Sequence, residues 1–383
     1  MKKLLSIIFI VLFNFVNAQE IPTTYTLEID SKYQFRPYID IEASSIKSQD
    51  KTGTCWSFST SSFLESEIYR LTGKKIDISE MYSVRGTYER KAWNYVMRQG
   101  KAQFGEGGLG HDVINSLKTD GLVPESEFSG LIGNQTTHSH SQMVKEIQTI
   151  LDAYIKNDID SPYPNWKQTV DELLNENLGT EVNEFVFEGK VYTPKSFLEM
   201  TTINPNDYIS ITSFTHIPFY ENFILNIPDN FSNGTYYNVP LDEFNSIAKQ
   251  VLENGFSIEW DGDVSEKTFS PKYGIAVLPS NIENNTKSLT EIVPEMDVTQ
   301  EFRQQEFENY NTGDDHLMHI IGIVTDQNGK LYYKIKNSWG TNSNRIGNDG
   351  YIYMSESYFK LKSISILIHK NALTQDLKQK LNL

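Results

Sequence analysis

The sequence predicts an α+β protein in which a helical half precedes a strand-rich half. Two patterns predict it. From Cys55 to about Leu178 the apolar residues recur at helical spacing, as in Leu64, Ile68 and Leu71. From about Asn206 they gather in short runs such as Tyr208-Ile-Ser-Ile-Thr and Leu331-Tyr-Tyr-Lys-Ile-Lys, rich in β-branched and aromatic side chains. A third observation is capacity: 383 residues at 38 % hydrophobic and 12 % aromatic are enough for a substantial core.

The first eighteen residues stand apart from that pattern. Lys2 and Lys3 precede a mostly apolar run from Leu4 to Phe15, and Val16-Asn17-Ala18 stands before Gln19, the layout of a cleaved secretory signal. The run is twelve residues long, short of the ~20 that a membrane-spanning helix needs. No later segment is apolar enough to span. The expectation is a soluble mature protein, secreted or periplasmic, with no membrane association after signal cleavage. The net charge of −16, which becomes −18 without Lys2 and Lys3, sets the surface against nucleic acid and anionic lipid. One cysteine in the whole chain excludes an intrachain disulfide. A lone thiol kept in an oxidising compartment suggests chemistry, with a buried inert Cys as the plainer reading.

The elements follow in order. Residues 19–48 are polar, carry Pro22 and Pro37, and read as an extended N-terminal arm. Residues 49–130 form the helical half: a helix from Cys55 that Gly73 can end, a second from about Ser79 to Met97, a glycine-rich turn over Gly105–Gly110 and a helix from His111 to Lys118. Residues 131–250 read as an insertion, helical over about Gln142–Asn157 and Trp166–Leu178 and mixed thereafter. Residues 251–370 form the strand-rich half, with strands near Phe256–Trp260, His319–Val324, Leu331–Lys336, Gly350–Met354 and Ser363–Ile368; 371–383 are a short tail. Asn281–Thr286 and Gln300–Asp315 are too polar for core and read as linkers.

Candidate chemistry begins at Gln49-Asp-Lys-Thr-Gly-Thr-Cys55-Trp56. A thiol in the first turn of a helix faces unsatisfied N–H groups and the positive end of the helix dipole, which favour thiolate. Gly53 allows the loop a sharp approach, and the Gln49 amide could join the Cys55 N–H as a pair of oxyanion donors. A thiolate nucleophile needs a base that takes up and returns a proton, and histidine suits that role near neutral pH. Of the seven histidines, Asp315-His316-Leu-Met-His319 enters a strand, and twenty-one residues beyond His316 stands Lys336-Asn337-Ser-Trp-Gly340. There the Asn337 amide could fix one imidazole tautomer while Trp339 shields the bond from water.

Gln-x5-Cys-Trp, then Asp-His at the head of a strand, then Asn-Ser-Trp-Gly resembles the signature of the papain-like cysteine peptidases. The resemblance implies a papain-like fold, with Gln49, Cys55, His316 and Asn337 in the oxyanion, nucleophile, base and orienting roles. His316 is preferred over His319 because Gly322 then lies six residues downstream, as in the family pattern. Within that family the chain is similar to the bleomycin hydrolase and aminopeptidase C branch. The 261 residues from Cys55 to His316 imply a large insertion, and Gly107-Gly108, Val191-Tyr-Thr-Pro-Lys-Ser-Phe and Phe256-Ser-Ile-Glu-Trp-Asp-Gly-Asp-Val also match. Enzymes of that branch are typically cytosolic, with a C-terminal arm whose end lies in the cleft. This sequence carries a signal and stops at Leu383, soon after its last predicted strand, so the arm is expected to be altered or truncated, and trimming of ends and internal cutting both stay open.

Other readings stand beside these. Gly107 and Gly108 could let a substrate backbone approach, as the family's glycine pair does, or simply make a turn; Ile258 and Trp260 are candidates for lining the substrate cleft. Gly105-x-Gly107-x-x-Gly110 follows no buried strand, which removes a dinucleotide site. His316 and His319 lack a second ligand cluster, so neither metal nor cofactor is expected. Trp56 and Trp339 could be core aromatics, and Asn134, Asn233 and Asn284 match a glycosylation triplet that is common by chance. The expected partner is a peptide or protein substrate, with a homo-oligomer left open. Two other functions compete with peptide hydrolysis: a Cys-His acyl transferase with an amine acceptor, and an exported binding module that keeps the fold without catalysis.

Overall fold

A computed structural model describes residues 24–25, 31–156, 164–341 and 343–383. The expected signal at residues 1–18 lies outside the described residues. The helical half is organised round α1 (Cys55–Thr72), which is buried without a break from Cys55 to Ile68. A helix buried all round needs protein on every side. Its run of Ser57, Ser59, Thr60, Ser61 and Ser62 supplies small side chains for close approach, and hydroxyls such as Thr60 Oγ1 bond back to the helix carbonyls. Gly73, in the left-handed region at φ 72°, ends it by donating its N–H to Tyr69 O. Ser79 caps α2 (Glu80–Met97) by accepting the Tyr82 N–H. Against these pack α3 (Gly110–Thr119), α4 (Ser141–Ile155) and α5 (Trp166–Leu178).

The strands gather in one twelve-stranded sheet. β1 (Thr24–Tyr25) pairs with β2 (Gln34–Asp40), and β2 with the strand over His316–Thr325. The remaining order is β6 (Asn222–Ile224), β7 (Thr235–Asn238), β5 (Tyr208–Thr212), β14 (Ser363–His369), β8 (Ile258–Gly262), β11 (His316–Thr325), β12 (Leu331–Lys336), β13 (Tyr351–Ser355), β10 (Ile275–Ala276) and β9 (Phe269–Ser270). A separate hairpin joins β3 (Phe185–Phe187) to β4 (Lys190–Tyr192), followed by α6 (Pro194–Met200). One edge of β11 is shared: β8 pairs with His316 to Ile320, and β2 takes over from Gly322. Gly322 is required at that handover, because a Cβ there would lie 2.3 Å from the Ile39 carbonyl oxygen.

The two halves meet where α1 lies across β11. Residues alternate across the sheet: Met318, Ile320, Ile258, Trp260 and Ile366 enter the core of the strand-rich half, whereas Leu317 and Leu367 join the core of the helical half.

Several expectations change. Residues 34–40 of the expected arm form β2, with Tyr33 and Phe35 buried beside Tyr332 and Tyr353. The segment 241–253, for which no helix is expected, is α7 (Leu241–Glu253), its apolar side at 241, 244, 247, 248 and 251 sunk in the core. α8 (Asn285–Ser288) begins at the end of one expected linker, and α9 (Gln300–Glu308) lies in the other. Arg303 of α9 is fully buried, donating to the carbonyls of Ser213 (2.8 Å) and Lys360 (2.9 Å). Composition places such a residue outside; its donors place it inside. The chain closes with α10 (Glu356–Lys362) and α11 (Gln375–Lys380), Leu377 and Leu381 of the expected tail being buried in the strand-half core.

Candidate active site

Cys55 is the first residue of α1, nine-tenths buried. The Leu317 N–H of β11 and the Trp56 N–H both point at its sulfur. Leu317 follows His316, so the junction of α1 and β11 sets the His316 backbone beside the thiol. His316 Nε2 donates to Asn337 Oδ1 at 2.8 Å, and the Ser338 N–H donates to the same oxygen at 2.7 Å. An atom that accepts from a backbone N–H is the amide oxygen, which fixes Nε2 as the protonated nitrogen and leaves Nδ1 as the base. Trp339 lies against the ring, centroid to centroid 4.5 Å at 30°.

Gln49 is held to this segment from the other side. Its N–H donates to Ser338 O (2.8 Å), and Ser338 Oγ donates to its Oε1 (2.7 Å). One Nε2 hydrogen goes to Thr52 O at 2.7 Å; the second is bonded to nothing among the described residues. The loop before Cys55 is fixed by Glu106, which accepts the Gly53 N–H on its carboxylate (2.7 Å) and the Trp56 indole N–H on its carbonyl (3.0 Å).

Burial pushes the Cys55 thiol up to about 12, with Asp314 and Asp229 adding to the rise against the Leu317 N–H. Burial also pulls the His316 imidazole down to about 4, against its bond to Asn337. Both directions favour an uncharged thiol and imidazole at rest.

The glycine pair and β8 are placed differently from the expectation. A Cβ on Gly108 would lie 3.0 to 3.3 Å from the Trp56 indole, and one on Gly107 would run into the Asp229 carboxylate; the Gly107 carbonyl accepts from Lys91 Nζ. The pair makes room for those side chains. Ile258 and Trp260 do not line a cleft: both are fully buried in the strand-half core, and the Trp260 indole N–H donates to Ser363 Oγ at 2.7 Å. Strand alternation turns their neighbours Glu259 and Asp261 toward the helical half instead, and these were missed as site residues. The signal was present, since two acids at alternate positions of a strand whose other positions are apolar must face something polar. His319, the unused histidine, lies behind α1 with Nδ1 2.8 Å from Ser62 Oγ.

Known proteins match this chain in sequence and fold. A model of the Peptidase C1-like family matches residues 181–383, just over half of the chain, and one of the papain family of cysteine proteases matches residues 31–128. Aminopeptidase C of Streptococcus thermophilus is 21 % identical over 91 % of this chain and 85 % of its own. Aminopeptidase G of Lactobacillus delbrueckii subsp. lactis is 19 % identical over 90 % and 85 %. Among solved structures, PepW from Lactobacillus rhamnosis HN001 superposes with a TM-score of 0.68 at 18 % identity, covering 90 % of this chain and 84 % of that one. The chain therefore belongs to the Peptidase C1-like family, as a papain-like cysteine-type peptidase.

Proposed function

We propose that the chain is an exported peptidase working through Cys55, His316 and Asn337 and trimming amino termini. The observation that supports it most is the His316–Asn337 bond at 2.8 Å beside a thiol held by the Leu317 N–H. With Nε2 engaged, Nδ1 takes the Cys55 proton as the sulfur attacks the peptide carbonyl, so that charge develops only as the bond forms. The oxyanion is met by the Cys55 N–H and the uncommitted Gln49 hydrogen. As the C–N bond breaks, Nδ1–H returns the proton to the leaving amine. Water then gives a proton to Nδ1 and attacks the thioester, releasing acid and free thiol. Asn337 holds the ring, and Trp339 keeps water from that bond.

Amino-terminal trimming is extended from the relatives named aminopeptidases, and export from the Lys2–Ala18 segment. The test is mass spectrometry of peptides with free and acetylated amino termini, incubated with reduced wild type and with Cys55→Ala. Cleavage of free peptides by wild type alone is the expected result. Equal activity in Cys55→Ala would overturn the nucleophile, and equal loss of acetylated peptides would overturn the trimming. Export predicts a mature chain beginning at Gln19 outside the cytoplasm.

A further inference from the structure

Three carboxyl groups lie on the helical side of the sheet next to the reacting thiol. Glu259 and Asp261 of β8 are 2 % and 1 % exposed. In register Asp261 stands beside Leu317 of β11 and Ser365 of β14, and Glu259 beside His319 of β11 and Leu367 of β14. Asp314, part-exposed and two residues before His316, shares a hydrogen bond with Asp261. Its charge, with that of Asp229 beside Gly107, reaches the Cys55 sulfur.

The partners of these groups do not complete them. Ser365 Oγ donates to Asp261 Oδ2 at 3.2 Å, and the Leu367 N–H points at Glu259. The Glu259 carboxyl also sits against Gly110, the first residue of α3, where a Cβ would come within 2.9 Å of it. Yet Glu259 Oε1 and Asp261 Oδ1 are buried with no hydrogen-bond partner among the described residues. The neighbouring cation, Lys91, bears on Asp229 and Asp314 but spends its ammonium on the Gly107 carbonyl. Asp112 and Tyr236 bring no positive charge, and His319, opposite Glu259 on β11, is kept neutral by burial. Two acceptors sealed from water without a donor are costly unless something outside the chain supplies one.

The geometry points to a subsite, formed by Glu259, Asp261 and Asp314, that receives a cationic group of the substrate while Cys55 attacks. The chemistry it recognises is an ammonium or guanidinium: the substrate's free α-amino group, or a lysine or arginine side chain. Among the described residues no three acidic or histidine side chains converge as they would round a metal ion, which suits an organic cation with donors spread over several ångströms. Such a group would satisfy Oε1 and Oδ1 and form charge-assisted bonds. Burial already pushes Glu259 up to about 8 and Asp314 up to about 7, so an arriving cation needs only a modest shift to ionise them.

This rests on Cys55 being the nucleophile, and the test separates the two claims by reading binding where no turnover can occur. Four peptides of one sequence are titrated calorimetrically into Cys55→Ala: free amino terminus, acetylated, acetylated with arginine at the first position, and acetylated with citrulline there. The expected result is that at least one cationic member binds about tenfold or more tightly than its neutral counterpart. Preference for the free amine identifies the α-ammonium as the guest, and preference for arginine over citrulline identifies the side chain. Glu259→Gln with Asp261→Asn, added to Cys55→Ala, should bring each ratio near unity. Asp314→Asn, part-exposed and tolerant of change, repeats the measurement should the double variant not fold. Equal binding of charged and neutral peptides, or a preference that survives these variants, overturns the subsite. Loss of wild-type cleavage alone would instead count against the role of Cys55.

Discussion

Two groups of buried carboxylates flank α1, and they are built on opposite plans. On one side Glu65 and Glu80 meet Lys47, whose Nζ lies 3.8 Å and 2.7 Å from them, while Lys336 Nζ donates to Ser44 (2.8 Å) and Ser62 (2.7 Å) and Ser44 in turn to Glu65. On the other side Glu259, Asp261 and Asp314 meet one another and a serine. The first group closes its charge account within the chain. The second leaves charge and acceptors open beside the thiol. Glu65, Glu80, Glu259 and Asp261 are buried alike, and it is their unequal pairing that separates a structural polar core from a surface prepared for a ligand.

The comparison breaks most visibly at Lys47. Lys47→Met keeps the aliphatic stem and removes the cation from Glu65 and Glu80, leaving two carboxyls buried without it. The expected loss is about 3–5 kcal/mol of unfolding free energy near pH 8, read by urea denaturation. Burial, opposed by Lys47, has already pushed Glu65 up to about 7. Its protonated form needs no lysine, so the loss should shrink toward pH 5. A loss that is the same at both pH values would show that the stem, not the charge, holds this side together.

Glu259→Gln probes the other side and runs with the opposite sign. Burial, with Asp314 adding, raises the folded Glu259 carboxyl from 4.5 to about 8. Between those values the folded state holds a proton that the unfolded state has lost. Its contribution to stability is therefore full below about pH 4.5 and disappears as pH rises through about 8. The variant lacks that slope. Its stability relative to wild type should rise by about 4 kcal/mol from pH 5 to pH 8.5, followed as melting temperature at both values. A flat difference would mean that Glu259 is already paired.

Much of this site was legible in the sequence. Cys55 at a helix start, His316 at a strand head and Asn337 before Ser-Trp-Gly are local signals, and the structure starts α1 at Cys55 and β11 at His316, with Asn337 just past the end of β12. What was not legible depends on neighbours distant in the chain. Ile258 and Trp260 were expected at the cleft because a sequence shows that strand residues alternate but not which face is inside. The answer comes from the pairing of β8 with β11 and β14, more than fifty and one hundred residues away. Arg303 misled in the same manner: its charge suggested a linker, and the carbonyls of Ser213 and Lys360 that bury it belong to other elements. Leu241–Glu253 escaped because the strand-like runs from about Asn206 onward drew the reading of this half toward β structure.

The smallest expected effect sets one serine from each side against the other. Ser62 Oγ accepts from Lys336 Nζ, so its own proton is free to go to His319 Nδ1 at 2.8 Å. Burial holds His319 well below its ordinary range, neutral, with Nε2 unpartnered among the described residues. Ser62→Ala would leave Nδ1 unpartnered as well and take one acceptor from a buried ammonium, a loss of about 1 kcal/mol. Ser365→Ala removes a 3.2 Å bond to Asp261 Oδ2, a carboxyl that burial and Asp314 already keep largely protonated. A long bond to a neutral acceptor is worth little, so the loss there should stay below about 0.5 kcal/mol. Urea titrations of both variants at pH 7 decide it. If Ser365→Ala proved the costlier of the two, Asp261 would have to be ionised and dependent on that hydroxyl, and the carboxylates beside Cys55 would then be paired from within like those behind α1.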